Sequence, residues 1–178
     1  MKVTMRKRTI FICGVLILGT CAGVLTVGWP LFTVTLGLGN ADPEHWAVIL
    51  RGDSSKLKRI VALERLKGLY PQAPDKVLAS LGDALRSDPD AQIRLQVAIF
   101  LRSIGHDARP AIGVLIEALR DNDEDVRVEV MSALSSFGPE AKDAIPSLLD
   151  AVEHAQTGRE REEAARALRM IDPNGGGR

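Results

Sequence analysis

The chain has 178 residues, 23 Lys+Arg and 23 Asp+Glu, but Lys2, Arg6, Lys7 and Arg8 precede the first acid, Asp42, so the sequence after residue 40 is acidic at about −4. Such a domain lacks the basic face that displaces counterions from phosphate, which excludes nucleic acid as the expected partner. The 2 cysteines, Cys13 and Cys21, leave no disulfide framework for the rest of the chain, and 46% hydrophobic with only 4% aromatic content suits helix packing better than a β-sandwich.

Residues 1–8 form a basic tail. From Thr9 to Ala41 no charged residue occurs, and Thr9–Val27 is 19 residues of nearly unbroken apolar character. At about 1.5 Å per residue this length approaches the roughly 30 Å hydrocarbon core of a bilayer. Residues 9–29 are therefore predicted to be a transmembrane anchor, with Trp29 at interfacial depth and Pro30 ending the helix. By the positive-inside rule the N-terminus is cytoplasmic and the remainder lies in the periplasm or outside the cell. The alternative is a cleaved signal peptide, for which Thr20-Cys21-Ala22 and Gly39-Asn40-Ala41 supply small-residue triplets. Apolar character continuing through Leu31-Phe32-Thr33-Val34 outruns a usual h-region and favours the anchor. Leu18-Gly19-Thr20-Cys21 resembles a lipobox, but Thr20 stands where Gly, Ala or Ser is wanted. Residues 30–42 read as a linker, and either the anchor or the signal peptide places residues 42–178 outside the cytoplasm.

Residues 43–172 carry an internal repeat. Leu81-Gly82-Asp83-Ala84-Leu85-Arg86 aligns with Leu115-Ile116-Glu117-Ala118-Leu119-Arg120 at a shift of 34, and that segment with Leu148–Glu153 at a shift of 33. Ile93-Arg94, Leu101 and Ile104-Gly105 match Val126-Arg127, Leu134 and Phe137-Gly138 at a shift of 33, and an upstream unit appears at a shift of 35. Four units follow, at 43–70, 74–105, 108–138 and 141–172, each predicted to be two amphipathic helices around a polar turn. In the third, Ile112, Leu115, Ile116 and Leu119 form one face and Val126, Val130, Ala133, Leu134 and Phe137 the other. Turn acids suit helix N-caps, Gly105 and Gly138 suit helix ends, and Pro110 and Pro146 are expected to open first helices. Asp and Arg recur six apart, as Asp53/Arg59, Asp88/Arg94 and Asp121/Arg127, which predicts a ladder of charge-assisted bonds between units. Unit four breaks the pattern, with Ala155 in the Asp position while Arg161 keeps the Arg. Residues 173–178 read as a flexible tail.

The run from Pro110 to Leu134, Pro-Ala-Ile-x-x-Leu-Ile-x-Ala-Leu-Arg-Asp-x-Asp-x-x-Val-Arg followed by Ala-Leu, resembles the HEAT repeat, in particular the short, Ala-rich variety named after phycobilisome lyases. The resemblance covers roughly residues 43–172 and implies an all-α, right-handed α-solenoid of about four helix pairs. It implies a binding scaffold as the commonest role, with a lyase-type or chromophore-handling enzyme as the alternative. An enzyme would be distinguished by a deep pocket with convergent polar groups.

Motifs for chemistry are sparse. His45, His106 and His154 lie one per loop or helix end, without metal-ligand spacing, and no phosphate loop, nucleophile elbow or dinucleotide motif occurs. The run Asp121–Asp125 places Val126 and Ser132 where a calcium-binding loop needs Gly and Glu, so it is expected to be a capping turn. No catalytic residue, metal or cofactor is expected. One feature is less ordinary. Superposed second helices put Ile60, Leu95, Val128 and Glu162 at one position, with Ile99 nearby, where the resemblance implies a charged residue on the concave side. Ile60, Leu95, Ile99 and Val128 either pack between helices or under residues 30–44, or form the candidate contact strip for a protein or peptide partner, with residues 9–29 contacting the membrane.

Overall fold

The computed structural model describes residues 42–175. The basic tail, the anchor over 9–29 and most of the linker lie outside the described residues, as do residues 176–178. Among the described residues no helix is long and apolar enough to cross a membrane.

The described chain is helical throughout: α1 (Pro43–Gly52), α2 (Lys56–Leu69), α3 (Pro74–Ser87), α4 (Ala91–Ile104), α5 (Ile112–Ala118), α6 (Glu124–Ser136), α7 (Ile145–His154) and α8 (Gly158–Ile171). Two 3-10 segments, Gly105–Ala111 and Gly138–Ala144, precede α5 and α7. Each helix is set by periodicity and local stop signals. In α3, Val77, Leu78, Leu81, Ala84 and Leu85 fall on one buried stripe, and Pro74 supplies a fixed φ at the first turn, where no N–H is needed. In α4 the stripe is Ile93, Val97, Ala98 and Leu101.

Caps mark the repeat boundaries. The Asp90 side chain accepts from the Gln92 amide, Asp123 from Val126 and Thr157 from Glu160, so three of the four second helices begin on a side-chain cap. Gly105 at φ +67° and Gly138 at φ +56° turn the chain out of α4 and α6 through backbone that L side chains rarely adopt. Pro110 does not open a helix as expected. It sits inside the 3-10 segment ahead of α5, whose shorter bonding pattern closes the turn, whereas Pro146 does occupy the first turn of α7.

Helix pairs stack in sequence: α4 packs against α2 and α6, α6 against α4 and α8, and α3 against α1 and α5. This is an all-helical arrangement consistent with an α-solenoid. The most enclosed helix is α6, which buries Val126, Val130, Met131, Ala133 and Leu134 because neighbours cover it on two sides. Terminal α8 buries only Glu160, Ala164, Ala167 and Ile171. Gly82 faces α5, where a Cβ would make ordinary van der Waals contact with Val114 Cγ1 at 3.7 Å.

Candidate interaction surface

The strongest electrostatic feature joins the units. Arg59 donates through Nε and Nη2 to both carboxylate oxygens of Asp88, at 2.9 and 3.2 Å, and through Nη1 to the Asp53 carbonyl at 3.0 Å. Arg94 repeats this on Asp121, at 2.6 and 2.7 Å, and on the Asp88 carbonyl at 2.7 Å. Arg127 does so on Glu160, at 2.7 and 3.4 Å, and on the Asp121 carbonyl at 2.6 Å. Asp53, Asp88 and Asp121 also accept the amide two residues on, from Ser55, Asp90 and Asp123, so each carboxylate shapes its own turn and two of the three, Asp88 and Asp121, also receive the preceding unit's guanidinium.

Unit four does not end the ladder, contrary to the expectation from Ala155. Glu160, one turn into α8, swings its carboxylate into the vacated place, takes Arg127 and accepts the Gln156 amide at 3.1 Å. The available signal was Thr157-x-x-Glu160, a capping-box spacing that brings a carboxylate back over the start of the helix.

Burial and bonding act in opposition on these acids. Burial pushes the Asp121 carboxyl up, but the Arg94 guanidinium and the Asp123 amide outweigh it and hold the group below its ordinary value. The Arg127 guanidinium likewise holds Glu160 down despite burial. These groups are committed to the fold. A surface groove of about 860 Å³ beside the second and third turns is lined by Arg86, Arg94, Glu117, Arg120, Asp121 and Asp123. Its charges largely satisfy one another, through Arg86 to Glu117 at 2.6 Å and Arg94 to Asp121. The three histidines are exposed, and among the described residues no group of His, Cys, Asp and Glu could hold a metal ion. Within the acidic run, Asp121 receives Arg94, Asp123 caps α6 and Asp125 pairs with Arg159.

The four strip residues separate by depth. Ile60 on α2 and Leu95 and Ile99 on α4 are half-buried, presenting part of each side chain to solvent. Val128 on α6 is 9% exposed and belongs to the packing between helices rather than to a contact surface. The difference follows from α6 packing extensively on both α4 and α8, whereas α4 packs extensively on α6 but only sparsely on α2.

A family profile described as HEAT repeats matches residues 78–169. No curated protein matches the chain.

Proposed function

Because the chain belongs to the HEAT-repeat family, whose members are generally protein-interaction scaffolds, we propose that it is a non-catalytic scaffold tethered to a membrane by residues 9–29. The observation that carries this reading is the half-buried apolar set Ile60, Leu95 and Ile99, spread over the second helices of consecutive units. Apolar side chains left partly wet at neighbouring positions offer area that a protein or peptide partner can desolvate. The uncharged run from Thr9 to Ala41, flanked by basic residues on its N-terminal side only, supports an anchor with the repeats outside the cytoplasm.

The test uses the full-length chain captured from membrane extracts. Leu95→Glu places an unpaired charge in the contact and is expected to abolish co-purification of the partner, while the thermal melt changes by about 1 kcal/mol or less. Retention of the same partner by the variant would move the contact elsewhere. Orientation is read separately by a reporter fused after Arg178, expected to be active only outside the cytoplasm. Activity in the cytoplasm would reverse the topology.

A further inference from the structure

The Arg–carboxylate ladder is open at both ends. At its start, Asp53 holds its own turn through the Ser55 amide but its carboxylate receives no arginine among the described residues; its ion-pair partner is Lys58 at 3.1 Å, whose side chain is 67% exposed. Residues equivalent to Lys58 in the next two units are Ile93 and Val126, so this lysine is peculiar to the first unit. At the other end, exposed Arg161 repeats the inner contact with the carbonyl six residues back, Ala155, at 3.5 Å, and makes no ion pair among the described residues. Among the described residues, one end is thus a carboxylate lacking an arginine and the other an arginine bonded only to backbone carbonyls, of Val152 and Ala155, and lacking a carboxylate.

A second observation concerns apolar surface. Every exposed large hydrophobic among the described residues lies in the first or last unit: Val48, Leu57 and Val61, then Leu149 and Met170. Register assigns three of these to the end faces. Val48 is equivalent to Asp83 and Glu117, which accept Arg51 and Arg86 from the preceding unit, and Val61 to Glu129, which accepts Arg102. Leu149 is equivalent to Gly82, which faces Val114 of the following unit. The outer face of unit one therefore carries valines where inner units carry Asp83 and Glu117 or Gln96 and Glu129, and the outer face of unit four adds an exposed leucine.

We propose that the chain associates head to tail with a second copy of itself, the guanidinium of Arg161 in one copy seating on the carboxylate of Asp53 in the next, with Leu149 meeting His45, the counterpart of Val114. The joint reuses the geometry found three times inside the molecule. Lys58 gives way, because an exposed ammonium on one oxygen is readily exchanged for a two-pronged guanidinium. At the rim, the inner pair Arg51–Asp83 corresponds to Glu153 and Val48, so no rim ion pair forms and the joint is weaker than an internal one. Such an interface is heterologous and generates open-ended arrays rather than closed dimers.

The experiment is sedimentation velocity of the full chain in a mild non-ionic detergent over rising protein concentration. Wild type is expected to show a sedimentation coefficient that climbs with concentration. Arg161→Gln removes the donor end, and Asp53→Asn removes the acceptor charge while keeping an oxygen for the Ser55 amide; each alone is expected to stay monomeric with an unchanged melt. Mixed together, they recreate one good joint per pair, from Arg161 of the Asn variant to Asp53 of the Gln variant. The mixture is therefore expected to give dimers and nothing larger. A single wild-type species at all concentrations, association persisting in either variant, or a mixture that stays monomeric would each overturn the proposal.

Discussion

Glu160 shows how one carboxylate can be replaced without its position in the sequence being kept. Its side chain, like that of Arg127, is almost fully enclosed, at 7% and 10% exposed. Glu160→Gln leaves the guanidinium without a counter-charge, and the expected cost is about 3–5 kcal/mol in chemical denaturation. Replacing both partners by Met and Leu should cost far less, because no buried charge is then stranded. Acid dependence follows from the same contacts. Glu160 and Asp121 titrate below their ordinary values near 4.5 and 3.8, so the folded chain binds protons less readily than the unfolded one. Their stabilisation is complete above those ordinary values and is lost as pH falls through them toward the folded ones. A denaturation midpoint followed downward from neutral pH should drop in this acid range, and the drop should be shallower in Glu160→Gln. An equal slope in the variant would remove Glu160 from the account.

At the scale of elements, turns rather than helix interiors are the less replaceable parts. Gly105 caps α4 at φ +67° and ψ −135°, a region essentially closed to residues with a Cβ. Gly113 lies on the exposed side of α5, where an added Cβ meets nothing within 4 Å. Gly105→Ala is expected to cost about 1–3 kcal/mol. Gly113→Ala should add about 0.8–1 kcal/mol, through helix propensity. Thermal melts of the two variants moving in the same direction would contradict this contrast. The aspartate-led turns have a similar role: Asp88 and Asp121 serve their own turn and the neighbouring unit together, so local conformation and stacking cannot be altered independently.

For the whole molecule, stability resides in nearest-neighbour joints, since each unit packs on the one before and the one after. Three buried Arg–carboxylate contacts mark the three joints, and the apolar stripes of α4 and α6 are closed on both sides by them. The ends differ in kind. Unit four presents charged Arg161, Glu162, Arg166 and Arg169 outward along α8, whereas unit one presents Val48 and Val61. A stack charged at one end and apolar at the other has a direction, which is the property that head-to-tail association uses.

Period, helix pairing, the capping role of the turn acids and two of the three inter-unit pairs in the ladder, Arg59–Asp88 and Arg94–Asp121, follow from the sequence alone, because a repeated unit makes each contact visible several times at a fixed shift. The Asp/Arg spacing of six suffices to place both groups beside one turn. The tertiary structure decided what depends on distance across units. Glu160 reaches the ladder from a helix instead of a turn, which no shift reveals, since the carboxylate is conserved in space and not in register. Val128 was indistinguishable from Leu95 by pattern, yet it is buried while Leu95 stays half-wet, because α6 packs extensively on both its neighbours while α2 covers α4 only sparsely, and burial is a property of what surrounds a helix. Pro110 entered a 3-10 turn rather than a helix start for a related reason: proline fixes its own φ, but the packing of α5 against α3 and α6 sets where the α-helical bonding begins.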